Sequence, residues 1–574
     1  VHRIDRSGLS LFALCVVLCG AARAASPPPV AAEHGMVVTA QHLATEVGVA
    51  VLKNGGNAID AAVAVGYALA VVYPAAGNLG GGGFMTIQLA NGQKTFLDFR
   101  EKAPLKARPD MYLDARGEVI EGLSTTGHLA VAVPGTVSGL ELARSKYGTR
   151  PRAELLAPAI RLAEEGFVLL PGDAEMLQTS TEDFRHDAPS GAIFLKHGEP
   201  YVAGDRLVQK DLARTLRRIS AAGAPGFYEG PVAHAIAVSS AQGGGIITEL
   251  DLVKYTTREL APVECDYRGY HVISAPPPSS GGTIVCEILN IVEGYPLHDL
   301  GWGSAQGVHY EIEAMRHAYM DRNTYLGDPD FVKNPLAHLL DKAYAARIRS
   351  AIDPQRAGQS DQIKPGMAPH EGTNTTHYSI IDKDGNAVAV TYTLNDWFGA
   401  KVLAAGTGVL LNNEMDDFTV KMGVANMYGL VQGQANSIAP GKRPLSSMSP
   451  TIVTQGGRPV LVLGTPGGSR IITAVVLTIL NLIDYGMNLQ EAVDAPRFHQ
   501  QWLPERTGVE RFGLSPDTSK LLVSMGHELA EMRQGNHIDA ILVGAPALGG
   551  KPVGQNRFFG ANDPRGHTGL ALGF

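Results

Sequence analysis

The chain is short of cysteine, of basic clusters and of long apolar runs, and each shortage excludes something. Four cysteines in 574 residues are too few for a disulfide framework, and their spacing fits no metal site. Two of them, Cys15 and Cys19, fall in a leader. Cys265 and Cys286 remain, and they are as readily two buried thiols as a pair in an oxidising compartment. No Lys/Arg-rich block occurs and the formal net charge is −8, so no basic face is available for nucleic acid. Beyond the leader no apolar run reaches bilayer-spanning length, so the mature protein is expected to be soluble, with no membrane partner. Charged residues are only 18% and hydrophobic residues 45%, a globular balance that argues against disorder or a coiled coil.

Glycine and length are what the chain has in excess. Its 574 residues exceed what one core supports, which predicts two or more packed units. Many of the 67 glycines sit inside apolar sequence, as in Gly77-Asn78-Leu79-Gly80-Gly81-Gly82-Gly83, and suggest close backbone packing rather than linkers. At the N-terminus His2, Arg3 and Arg6 precede the apolar Leu9 to Leu18 and a small-x-small site at Ala22-Arg23-Ala24. Residues 1–24 therefore read as a signal peptide, implying export across the inner membrane to a bacterial periplasm or beyond.

Helical periodicity over Gly55 to Val72 leads into a strand-like Phe84 to Leu89. From Ala130 to about Ser350, amphipathic helices alternate with short connectors. A polar stretch, 354–374, lacks apolar periodicity and reads as exposed and mobile. The pattern then changes. His377–Ile381 reads as a strand, Asp382-Lys383-Asp384-Gly385-Asn386 as a hairpin turn, and Ala387–Thr393 as a buried second strand. A strand at Pro459–Leu463 runs through a glycine loop into a helix, Ile471–Leu482. Sheets and helices in both halves predict a layered α+β fold, αββα rather than a bundle.

The junction Asn374-Thr375-Thr376-His377-Tyr378-Ser379 is where a polar segment meets a buried strand. An internal threonine hydroxyl is a weak nucleophile. Cutting before Thr375 would give it a free α-amine, with an ordinary pKa near ~8, to accept the hydroxyl proton. Two strand threonines with no chemical role are the plain alternative.

These residues, with the following Asp-Lys-Asp-Gly-Asn turn, resemble the processing site of γ-glutamyltranspeptidases, the glutathione hydrolases of the N-terminal nucleophile superfamily. The resemblance runs over nearly the whole mature chain. It includes Asn57 to Ala62, Gly77 to Phe84, Leu97 to Glu101, Asn412 to Phe418, Arg443 to Pro450 and Gly464 to Arg470. It implies a four-layer αββα sandwich and a precursor cut between Asn374 and Thr375. The products would be a large subunit (25–374) and a small subunit (375–574) that stay together as a heterodimer. Thr375 would open the γ-glutamyl amide of glutathione or a related compound. The acyl group would pass to water or to an amino acid or dipeptide acceptor, with no metal or organic cofactor.

The remaining candidate residues each carry two readings. Arg100 could grip a carboxylate with both arms of its guanidinium or simply pair with Asp98 or Glu101; the resemblance implies the substrate α-carboxylate. Asn412 to Phe418 groups carboxamides and carboxylates that suit an amine. A calcium loop would need the EF-hand spacing and glycine, which are missing, and a solvated turn is the plain alternative. By resemblance Asp417 and Glu414 hold the α-amine, with Asn395 contacting the same substrate end and Thr393 orienting the nucleophile. Many relatives carry Gln at the position of Glu414. Ser446 and Ser447 read as a capping pair or, by resemblance, as the carboxylate side of the site. Gly464 to Ser469 lacks the lysine of a phosphate loop; the resemblance gives Gly467 and Gly468 an oxyanion-binding role. Met422 to Gly433, with Tyr428, reads as a surface loop or, by resemblance, as a lid over the substrate. Two rivals are a glutaryl-type β-lactam side-chain acylase on the same fold and a secreted, non-catalytic binding protein.

Overall fold

The computed structural model describes residues 26–360, 375–533 and 535–574. Two seven-stranded sheets, antiparallel throughout, form its centre. In spatial order the first holds Leu570–Gly573, Met36–Thr39, Thr376–Ile381, Ala387–Thr393, Gly82–Gln88, Lys94–Phe99 and Arg258–Leu260. The second holds Val30–Ala32, Phe558–Asn562, Asp539–Val543, Arg458–Gly464, Thr451–Gln455, Tyr270–Ser274 and Val263–Tyr267. Strands from both ends of the chain share each sheet, so cutting at Thr375 would leave each sheet built from both pieces.

The apolar residues explain the layering. Val38, Ala387 and Ala389 from one sheet meet Ile452, Val462 and Ile541 from the other between the sheets. The outer face of the first sheet is covered by helices that include Ala58–Val72, buried along its entire length. The outer face of the second is covered by Gly281–Val292, Ala305–Tyr325 and Arg470–Ile483. This is the αββα sandwich the sequence led us to expect. The several packed units implied by length are stacked layers with an apolar core at each interface between layers, because each sheet has an apolar inner and outer face.

Local signals position the central hairpin. Asp382 Oδ1 accepts from the backbone N–H of Asp384, Gly385 and Asn386, each at 3.0 Å, and Gly385 takes the left-handed φ of +94° that the tight turn needs. The register Thr376↔Tyr392 through Ile381↔Ala387 follows. The glycine cluster packs against this hairpin, as its composition suggested: a side chain on Gly81 would lie 1.9 Å from the carbonyl of Thr393, and one on Gly83 2.4 Å from that of Thr391.

Cys265, on Val263–Tyr267, and Cys286, on the helix packed against that strand, form a disulfide. The leader and residues 361–374, including Asn374, lie outside the described residues. Residues 357–360 of the polar stretch are tied down. Ala357 N–H donates to Met525, Gly358 N–H to Glu313 and Ser360 N–H to Glu505. No helix among the described residues is long and apolar enough to cross a membrane.

Candidate active site

Strand periodicity aims Thr375 between the two sheets. Thr376, Tyr378 and Ile380 face the outer helices, with the Tyr378 hydroxyl on the carbonyl of Ala62; Thr375, His377 and Ser379 face the second sheet. Thr375 is 4% exposed and its hydroxyl donates to Thr393 Oγ1 at 3.2 Å. The backbone N–H of Asn395 donates to the same oxygen at 2.8 Å. Nearby His377 is not placed as a base: its ring contacts Thr391 and Ser379, and burial, with the neighbouring His537, pushes its pKa down to about 3.

Thr375 opens on a narrow, partly open pocket with about 310 Å³ of atom-free space, the solvent at its mouth included. Arg100, Thr393, Asn395, Glu414, Asp417, Tyr428, Ser446, Ser447 and Gly468 line it too, so residues scattered from 100 to 468 converge. Gly467 adjoins it through Gly468. Arg100 is fully buried at the end of Lys94–Phe99. Its two terminal nitrogens donate to Glu414 and Asp417, its Nε donates to the carbonyl of Pro444 at 3.1 Å, and Glu101 lies 3.6 Å away. Asp98, one of the two expected salt-bridge partners, instead pairs with Arg258.

Three buried carboxylates thus surround one guanidinium. Burial drives Glu101 up to about 7 and Glu414 well above the usual carboxylate range, against the pull of Arg100. A zwitterionic end, carrying an ammonium beside a carboxylate, matches this alternation of charge.

The loop wall is fastened by polar side chains. Asn436 and Gln432 donate to the carbonyl of Asp417 at 2.6 and 3.0 Å. Asp416, absent from our sequence-based site, accepts from the Ser124 hydroxyl at 2.8 Å and the Met427 N–H at 3.0 Å. Burial raises it to about 6. These bonds fold the 422–433 loop over the pocket, where the Tyr428 hydroxyl donates to the carbonyl of Asn395 at 2.7 Å. Gly467 and Gly468 have φ of +132° and +57°; side chains there would collide with Asn536 at 2.1 Å and the Tyr428 ring at 2.5 Å. Among the described residues neither glycine N–H has a protein acceptor, which leaves both as donors.

Sequence reasoning also missed Arg322, which lines the pocket from the last turn of Ala305–Tyr325. Tyr319, one turn earlier, donates to the carbonyl of Ser469, so this helix braces the serine and the glycine sides together. One set of side chains among the described residues has metal-ligand spacing: His309, Glu313 and His527. None lines the pocket; the two imidazoles are hydrogen-bonded at 2.8 Å and Glu313 pairs with Arg316.

Comparisons with known proteins point to one family. The family profile described as gamma-glutamyltranspeptidase matches residues 44–572. The chain is 74% identical over 552 residues to the glutathione hydrolase proenzyme of Pseudomonas sp. (strain A14), covering 96% of each. It is 51% identical to that of Escherichia coli (strain K12), over 95% of this chain and 93% of that one. The crystal structure of cephalosporin acylase from Bacillus halodurans superposes with a TM-score of 0.82 at 27% identity, covering 100% of this chain and 99% of that one. The chain belongs to the gamma-glutamyltranspeptidase family, within the N-terminal nucleophile hydrolases.

Proposed function

We propose that this chain is the precursor of a γ-glutamyltransferase and glutathione hydrolase, and that Thr375 performs both its maturation and its catalysis. In maturation the Thr375 hydroxyl attacks the carbonyl of Asn374. The peptide nitrogen leaves as the α-amine of Thr375, and water opens the resulting ester. The products are residues 25–374 and 375–574. Their interleaved strands, Met36–Thr39 beside Thr376–Ile381 and Ala387–Thr393 beside Gly82–Gln88, support a lasting heterodimer.

In the mature enzyme the Thr375 amine takes the hydroxyl proton as Oγ1 adds to the γ-amide carbonyl. Thr393 fixes the hydroxyl by hydrogen bonding, and the N–H groups of Gly467 and Gly468 receive the oxyanion. The amide nitrogen takes the proton and departs as a free amine. Water, or the amine of an amino acid or dipeptide acceptor, attacks the γ-glutamyl ester and restores the threonine. Arg100, Ser446 and Ser447 receive the α-carboxylate. Asp417, Glu414 and Asn395 receive the α-ammonium, and Tyr428 keeps bulk water off the ester. The chemistry needs no metal or organic cofactor.

The observation that carries this reading is one pocket holding both a strand-end threonine and the Arg100–Glu414–Asp417 cluster. The cluster separates it from the glutaryl acylase reading, since a glutaryl group lacks the amine and would leave the carboxylates facing a methylene. Turnover of a γ-glutamyl anilide should exceed that of a glutaryl anilide; the reverse order would favour the acylase. A purified protein that stays one chain after long incubation would favour the binding-protein reading. Export fits the leader at 1–24, and the Cys265–Cys286 disulfide supports an oxidising destination, the periplasm or outside the cell.

A further inference from the structure

Two buried guanidinium groups line this pocket, and their surroundings differ in kind. Arg100 is held by carboxylates. Arg322 is 1% exposed, and among the described residues its hydrogen-bond partners are all neutral. Its Nε donates to Ser280 Oγ at 2.9 Å, its Nη1 to Asn323 Oδ1 at 2.8 Å and Gln432 Oε1 at 3.3 Å, and its Nη2 to Ser447 Oγ at 3.0 Å. A buried cation held only by dipoles is costly and gains most from an anion brought beside it. Burial, with the charge of Arg100, lowers its pKa to about 10, so it remains charged at neutral pH.

The direction of these bonds carries the argument further. Arginine can only donate. Ser447 Oγ is therefore an acceptor toward Arg322, and the serine's own hydrogen is free to point elsewhere. Ser446 is arranged alike, since the backbone N–H of Met448 donates to Ser446 Oγ at 3.1 Å. Ser280, fixed by Arg322, donates in turn to the carbonyl of Ser446 at 2.7 Å. Both pocket serines are thus turned into donors, and an unpaired positive charge stands behind one of them. That is a receptor for a carboxylate.

We propose that Arg322 is a positioning residue and counter-charge for the α-carboxylate of the substrate, acting through Ser447 and beside Arg100. The proposal rests on the reading that a γ-glutamyl group occupies this pocket with its carboxylate against the serines. Arg100 then serves both ends of the zwitterion, ordering Glu414 and Asp417 for the ammonium, while Arg322 acts chiefly at the carboxylate end, its longer bond to Gln432, which also holds the Asp417 carbonyl, being its tie to the other.

Three anilides test this: γ-glutamyl, glutaryl (carboxylate without amine) and 4-aminobutyryl (amine without carboxylate). Arg322→Met should raise KM for the two carboxylate-bearing anilides about 10- to 100-fold, the worth of a hydrogen bond to a charged group, with a smaller change in kcat. The 4-aminobutyryl anilide should be affected less than about 3-fold, since it makes no such bond. Arg322→Lys should recover part of the loss. An equal loss on all three anilides would mean Arg322 only supports the fold, and would overturn the proposal. If Arg322→Met does not mature, Arg322→Lys decides in the same way, by a smaller loss that spares or does not spare the 4-aminobutyryl anilide. Failure of the underlying reading looks different: the unmodified enzyme would itself show no preference for γ-glutamyl over 4-aminobutyryl anilide.

Discussion

The two walls of the pocket are built on different principles. Thr375 and Thr393 sit at the facing ends of two adjacent strands, beside the ladder pairs Thr376↔Tyr392 and Thr393↔Gly82 that set their places. Glu414, Asp417 and Tyr428 sit on loops, where side chains hold the backbone: Asn436 and Gln432 on Asp417, Asp416 on Met427. The sheet wall is rigid and suits bond-making, which tolerates little displacement. The loop wall has polar, replaceable ties and suits recognition. Damage to the first should stop chemistry; damage to the second should weaken binding while leaving maturation intact.

The largest expected effect breaks the sheet wall. Thr375→Ala should leave a single uncut band on a denaturing gel and lower turnover of a γ-glutamyl anilide at least ~10³-fold, as loss of a nucleophile does. Next comes the loop wall. Asp417→Ala leaves Arg100 short of a partner and should cost about 2–5 kcal/mol in kcat/KM, mostly as KM. The two-band pattern should persist; loss of cleavage in this variant would erase the distinction between the walls.

A third prediction concerns stability. His377, inside the sheet wall, stays neutral down to about pH 3 in the fold. Unfolded, it takes a proton near its ordinary pKa of about 6.5. Stability is therefore full above that pH and falls as pH drops from 6.5 toward 3, by up to about 1.4 kcal/mol per pH unit from this residue. Urea unfolding of His377→Gln across that range should show a shallower acid slope. The smallest effect is Tyr428→Phe, which loses one hydrogen bond to Asn395 at the edge of the loop wall and should cost about 1 kcal/mol, read as a few-fold rise in KM.

The same contrast explains what the sequence disclosed. The hairpin was legible because alternation and an Asp-Gly turn encode it locally; the expected strand Ala387–Thr393 is the observed one. Arg470–Ile483 was legible within one residue at each end from its long apolar run. The loop residues Glu414, Asp417 and Tyr428 came into view through a family resemblance, because nothing local says that 412–418 meets Arg100. Asp416 and Arg322 escaped both routes. Arg322 lies in a helix whose Glu311, Glu313, Arg316 and Asp321 are also buried, so its charge does not stand out against the pattern. The Tyr319–Arg322 spacing puts both on one face, but only the tertiary structure shows that this face meets the pocket. The Cys265–Cys286 bond was undecidable from sequence for a similar reason: two cysteines 21 residues apart, one on a strand and one on a helix, have no fixed distance until those elements pack.

The central claim is that Thr375 becomes a chain terminus and works as one. Mass and N-terminal sequence of the smaller fragment of the purified protein test it most directly. The account predicts a fragment that begins Thr-Thr-His-Tyr-Ser at Thr375. A fragment beginning elsewhere, or an active protein that remains one chain, would contradict it.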